Sequence, residues 1–122
     1  MCIRDRNNLA IAYSIQGKYD QAEVLYKQCL DKRRVVLGDN HPDTLNTMKG
    51  LAVTYNAQGK YDQAEINFKQ CLDKQRTVLG DNHPDTIGTM NNLAATYKAQ
   101  GKYDQAEALY KQGKHDEALG KP

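Results

Sequence analysis

Gln16-Gly17-Lys18-Tyr19-Asp20-Gln21-Ala22-Glu23, "QGKYDQAE", returns letter for letter at Gln58 and again at Gln100. The step is 42 residues each time. A relative of the octet, "GKHDEALG", begins at Gly113, too early to belong to the series. A chain that repeats eight residues at a fixed interval is built from repeated structural units, and the octet shows what those units are.

Working outward, Tyr13, Tyr55 and Tyr97 share the 42-residue step, and "LGDNHPDT" at Leu37 recurs at Leu79. Residues 7–48 and 49–90 are roughly two-thirds identical. This period restricts the architecture to solenoids, propellers or arrays. Between the turns, Met48, Leu51, Ala52 and Tyr55 recur at i, i+3, i+4 and i+7, and Ala64, Phe68, Cys71 and Leu72 follow the same rule. That is the buried stripe of a helix. Sustained alternation of period two is absent from the sequence, which disfavours a propeller. Each unit is predicted to be a helical hairpin. All eight tyrosines and the single phenylalanine occupy repeated positions, so the aromatics serve the core and the turns.

The octet then reads as the hairpin's turn. Gly59 suits the left-handed conformation that ends a helix. Asp62 is expected to cap the next helix, with Glu65 reaching back in a capping box. Tyr61 with Ile66, Tyr19 with Val24, and Tyr103 with Ala108 are spaced for a hydrophobic staple. In "HPDT", Gly38 and Gly80 close the long second helices, while Pro42 and Pro84 open the following ones. Asp43 and Asp85 then lie in a first turn and Lys32-Arg33-Arg34 in a last turn, as the helix dipole favours. That basic run becomes Lys74-Gln75-Arg76 in the next unit, so it reads as a solvated helix end rather than a nucleic-acid or lipid contact.

The 122 residues form one domain's worth of chain, with 39% hydrophobic and 26% charged residues and a net charge of +2. This is a soluble, mildly basic composition, without the concentrated basic face expected of a nucleic-acid or membrane partner. No apolar run reaches the ~20 residues of a membrane span, and no secretory leader is visible. Cys29 and Cys71 are one position seen twice, in apolar helical runs; with Cys2 they are expected to form no disulfide framework. A reducing, cytoplasmic location follows.

Leu51-Ala52-x-x-Tyr55, Gly59 and Ala64-x-x-x-Phe68-x-x-Cys71 together resemble the tetratricopeptide repeat. The usual unit has ~34 residues. A longer second helix, the "LGDNHPDT" connection and the "NNLA" tetrads at Asn7 and Asn91 resemble the kinesin light chain type. The resemblance implies an all-α fold: a right-handed α-solenoid of stacked antiparallel hairpins. It covers residues 7–112, in units of about 7–41, 42–83 and 84–112. Met1–Arg6, "MCIRDR", does not fit the repeat and is read as adapter-derived, non-native sequence. Residues 113–122 are read as a degenerate or truncated repeat tail, the third unit losing its second helix after Gln112. Lys49 and Gly50 replace the paired asparagines of the other units.

Sites of chemistry are not expected. His41 and His83 recur in one loop position and read as helix caps rather than metal ligands. Asp20 and Glu23 read as a capping pair rather than as acid and base. No phosphate loop or nucleophile motif occurs, so neither a catalytic residue nor a cofactor or metal is assigned. The resemblance instead implies a non-catalytic module that binds extended peptide segments in a concave groove lined by the first helices. The implied groove positions are Asn7, Ile11 and Ser14, then Asn46, Lys49, Val53 and Asn56, then Asn91, Ala95 and Lys98. These positions vary between units while the core stays fixed. The expected partner is a protein or peptide; kinesin light chain character in a longer parent would add cargo or kinesin heavy chain. The alternative is a regulatory or scaffolding arm of a larger signalling ATPase or enzyme, with no motor link.

Overall fold

Five glycines adopt positive φ, between 78° and 91°: Gly17, Gly38, Gly59, Gly80 and Gly101. They divide the chain into six helices. A computed structural model describes residues 3–119, with side-chain environments for residues 4–115. The helices are α1 (Ile3–Ile15), α2 (Tyr19–Val36), α3 (Pro42–Ala57), α4 (Tyr61–Val78), α5 (Pro84–Ala99) and α6 (Tyr103–Leu119). No strand occurs among the described residues. Gly59 shows why glycine is needed. Its N–H reaches Asn56 O at 3.0 Å and the next N–H, of Lys60, reaches Tyr55 O at 2.8 Å. This paired closure requires a left-handed residue between the two donors.

The expected capping box does not form. Lys18 and Lys60 are the N-cap residues and make no side-chain cap hydrogen bond. Tyr19, Tyr61 and Tyr103 are the first helical residues, so Asp20 and Asp62 lie one position further in. The predicted register was two residues late, and the staple goes with it: Val24 and Ile66 are exposed. The aspartate and glutamate have other partners, described below. At the other junction the expectation holds. His41 and His83 are N-caps whose Nδ1 atoms accept from the Asp43 and Asp85 N–H groups at 3.1 Å, and proline follows at the first helical position.

Each helix packs on the next in sequence. Beyond these, the backbone of α3 comes close to those of α1 and α5, whereas among the described residues the backbones of the even-numbered helices do not approach one another as closely. The odd helices are therefore the tighter inner layer of a curved stack, as in a solenoid. The core runs continuously through the stack, with Met48, Ala52, Ala64, Phe68, Cys71, Met90 and Ala94 fully buried. A large apolar side chain buried in this way contributes about 1.5–3 kcal/mol. Threonines are buried with it, and Thr54 and Thr96 bond back to the carbonyls of Gly50 and Asn92 at 2.9 and 3.0 Å. The hydroxyls of these two are thus satisfied by their own helix.

Two further expectations change. Arg33 is buried rather than solvated, with Nη1 donating to Asp43 O at 3.0 Å and Thr47 Oγ1 at 2.8 Å. Its neighbours Lys32 and Arg34 are exposed, as expected of a helix end. The third unit keeps its second helix: α6 runs on through Gly113, which is buried at the position held by Cys29 and Cys71 in the earlier units. The early "GKHDEALG" is therefore helix, not turn, up to Leu119. At the other end α1 takes in Ile3–Arg6 from the hexapeptide set aside above. Met1 and Cys2, like the tail positions 120–122, lie outside the described residues.

Candidate functional site

The inner face is built by α1, α3 and α5. Because the units superpose on a 42-residue step, the implied groove residues fall into registers. Ile11, Val53 and Ala95 form one, all exposed. Asn7, Lys49 and Asn91 form a second, of which Asn91 is exposed and the other two half-buried. Ser14, Asn56 and Lys98 form a third, with Lys98 exposed, and Asn46 adds an exposed position on α3.

Two asparagines of these registers also hold neighbouring inner helices together. Asn56 Nδ2 donates to Thr96 Oγ1 at 2.8 Å, linking α3 to α5. Thr47 Oγ1 lies 3.2 Å from Asn7 Oδ1, linking α3 to α1. Lys49 extends toward α5: its Nζ stands 3.7 Å from the point a Cβ on Gly88 would occupy. The inner face thus combines an exposed apolar register, two amide–hydroxyl links and the ammonium groups of Lys49 and Lys98.

The octets meet on another side of the stack, and sequence reasoning missed what they do there. Gln58 Nε2 donates to Asp20 Oδ1 at 2.8 Å, and Lys60 Nζ to Glu23 Oε1 at 2.9 Å. One unit later Gln100 donates to Asp62, and Lys102 to Glu65, both at 2.8 Å. The first half of each octet binds the second half of the octet before it. Each glutamate takes a second lysine from its own helix, Lys27 on Glu23 at 2.9 Å and Lys69 on Glu65 at 3.0 Å. The hydrogen bond from Lys60, helped by that from Lys27, outweighs burial and lowers the Glu23 carboxyl to about 2. Lys102 and then Lys69 lower Glu65 in the same way. The two lysines of each joint also flank a tyrosine. Lys27 and Lys60 lie 5.8 and 5.9 Å from the Tyr55 ring centre, and Lys69 and Lys102 both 5.7 Å from that of Tyr97. Such cation–π placement adds to the ion pairs. The available signal was the invariance of Gln, Lys, Asp and Glu, which a turn alone does not require.

Among the described residues, no group of three or more His, Cys, Asp or Glu is placed to hold a metal ion. No described helix is long and apolar enough to cross a membrane. Cys29 and Cys71 are buried and not disulfide-bonded; burial pushes the Cys71 thiol up to about 11.

No curated protein matches the chain significantly. Solved structures do. One is a kinesin light chain candidate from Podosopora anserina with nearly identical TPR-like repeats. It is 27% identical with a TM-score of 0.87, covering 98% of this chain and 57% of its own. Another is BtubC (BKLC) from P. vanneervenii, 25% identical with a TM-score of 0.87, covering 96% of this chain and 47% of its own. The TPR domain of Arabidopsis FLU shares the fold, with a TM-score of 0.81 at 17% identity over 91% of this chain and 90% of that one. The chain thus spans about half the length of the first two. The tetratricopeptide repeat profile matches residues 6–77 and again 55–114. With its 42-residue hairpins, inner helical face and interlocking turns, the chain belongs to the tetratricopeptide repeat family, in its kinesin light chain-like form.

Proposed function

We propose that this protein is a non-catalytic interaction module that binds an extended peptide segment along the face of α1, α3 and α5. Membership of a protein-interaction repeat family supports the module reading. The observation that carries the rest is a contrast within one repeat. The octet is identical in all three units and engaged in joints, whereas the inner-face registers differ from unit to unit and include exposed side chains. Variation on a rigid scaffold is what a binding surface requires. Ile11, Val53 and Ala95 would pack the ligand's apolar side chains. Asn46 and Asn91 would donate to and accept from its backbone, and Lys49 and Lys98 would take a carboxylate. In a longer parent, cargo or kinesin heavy chain would be the partner class, as the kinesin light chain likeness suggests.

A peptide array screened against the full chain and its K49E/K98E variant tests this reading. Peptides with an acidic residue beside apolar ones are expected to bind, and to lose roughly tenfold or more in affinity on the double reversal, since like charges then face each other. Unchanged binding by the variant overturns the assignment of the groove.

A further inference from the structure

The seam between α3 and α5 is built differently from the seam between α1 and α3. In the first seam Arg33 Nη1 donates to Asp43 O at 3.0 Å and to Thr47 Oγ1 at 2.8 Å, and that hydroxyl lies 3.2 Å from Asn7 Oδ1. Guanidinium, hydroxyl and amide close the gap between the helices. One step of 42 residues later, Gln75 stands for Arg33, Thr89 for Thr47 and Lys49 for Asn7. Thr89 still bonds to its own helix, at Asp85 O and 3.1 Å, but the closing network is gone.

Its absence leaves polar groups without partners. Gln75 is 1% exposed, and its Oε1 has no hydrogen-bond partner among the described residues. Thr86 is 0% exposed and its Oγ1 has none either, whereas its counterpart Thr44 donates to Arg33 O at 3.4 Å. Lys49 is half-buried, and its Nζ forms no ion pair with a described residue. Gly88 stands where the first seam has Asn46, and Lys49 Nζ alone comes within 4 Å of the point its Cβ would occupy. The second seam thus trades two larger side chains for smaller ones beside a free ammonium. The helices that form it, α3, α4 and α5, are each packed between neighbours inside the chain, so the opening is not an end of the stack. Buried polar groups without partners are costly and uncommon.

We propose that this second seam is the anchoring subsite of the groove, and that it takes the side-chain carboxylate of one glutamate in the bound peptide. The inference rests on the peptide-binding reading above. The glutamate enters over Gly88. Lys49, whose ammonium has several donors, turns inward to pair with the carboxylate and donates as well to Gln75 Oε1. In the free protein that turn would bury an unpaired ammonium, which costs more than an orphaned amide oxygen. The ligand's charge removes this obstacle, so Gln75 is satisfied only in the complex. One ammonium balances a carboxylate, whereas a doubly charged phosphate would be left half-balanced beside Asp85, one turn before Thr89. Aspartate, shorter by a methylene, falls short of the buried amide.

Peptides that bind in the array described above are titrated by fluorescence anisotropy into the full chain and its Q75M and G88N variants, with helical content checked for each. Q75M removes the amide and keeps the bulk. G88N copies the first seam and carries no helix penalty. Each is expected to weaken binding of a glutamate-bearing peptide roughly tenfold, the scale of a lost hydrogen bond in a charged network. Neither should alter binding of the same peptide with alanine in place of the glutamate, and aspartate there should bind more weakly than glutamate. The side-chain amide signals of Gln75 in NMR spectra should shift with the glutamate peptide and stay in place with the alanine one. Equal binding of the glutamate peptide by all three chains overturns the subsite. So does a loss of the same size for glutamate and alanine peptides, which would mark a structural effect only. If K49E/K98E still loses binding in either case, the groove reading stands and its anchor alone falls; an array without any binding peptide overturns both.

Discussion

The ring of Tyr26 lies against the backbone of Gly50, with Cε1 only 2.7 Å and Cζ 2.9 Å from the point a Cβ would occupy. No side chain fits there unless the ring moves, and the ring is buried in the core. A glycine inside a helix costs about 0.5–1 kcal/mol relative to alanine, so Gly50 is a helical liability kept for packing. In the next unit the corresponding pair is Phe68 and Asn92. Tyrosine goes with glycine and phenylalanine with asparagine.

That pairing predicts coupling. G50N alone is expected to destabilise the chain by about 1–3 kcal/mol through overpacking. Y26F/G50N, which copies the next joint, is expected to recover a substantial part of that loss. Thermal melts of the wild type, both single variants and the double variant form a cycle that reads the interaction directly. Purely additive effects would mean that the two positions do not sense each other.

Arg33 leads to a second prediction. Its guanidinium ties the end of α2 to Asp43 O and Thr47 Oγ1 on α3. Its counterpart Gln75 is buried more deeply, but its Oε1 has no hydrogen-bond partner among the described residues. R33M keeps the apolar stem and removes the donors. It is expected to cost about 2 kcal/mol, within the usual range for hydrogen bonds to a charged group. Urea denaturation measures the loss, and a midpoint within error of wild type would show that the bonds contribute nothing net.

Acid should open the joints. Glu23 carries a folded-state value of about 2 against an ordinary 4.5, and Glu65 is shifted in the same direction. A depressed carboxyl stabilises the fold above its unfolded value and loses that contribution as it is protonated in the folded state. The stability due to Glu23 is therefore complete above about pH 4.5 and lost as pH falls through about 2. Denaturation midpoints taken from pH 6 to pH 2 should fall less steeply for E23Q than for wild type. Parallel curves would remove Glu23 from the account of acid sensitivity.

These residues also show why the sequence disclosed the architecture more readily than the joints. Period, glycine stops and apolar stripes are local signals, and they located the helical hairpins and the His-Pro starts from the letters alone. The capping box failed because Asp62 and Glu65 fit two roles by spacing. Only the superposition of neighbouring units shows that Gln100 and Lys102 claim them. Arg33 was misread because its basic neighbours suggested solvent, although it lies four residues after buried Cys29, on the same side of α2. The positions proposed to line the groove were legible as variable positions on one helical face. That Asn7 and Asn56 reach threonines of the adjacent inner helix was not, since those contacts span 40 residues.

Gly113 gives the last prediction. It lies inside α6 with no positive φ, at the position where the earlier units carry a buried cysteine. A Cβ added there would meet Asn91 Oδ1 at 3.5 Å and Ile87 Cγ2 at 4.0 Å, which are ordinary contacts. Replacing it by alanine removes a helix penalty of about 1 kcal/mol and buries a methyl group that the stack has room for. G113A is expected to raise the melting temperature and to protect the amides of α6 in hydrogen exchange. The matching change at Gly17, where φ is +78°, should do the reverse: alanine is strained there even though nothing lies within 4 Å of the new Cβ. The opposite signs of G113A and G17A separate a glycine that shapes a turn from one that leaves a helix underfilled. A G113A variant that melts below wild type would mean that the buried space beside Asn91 does not accept a methyl group.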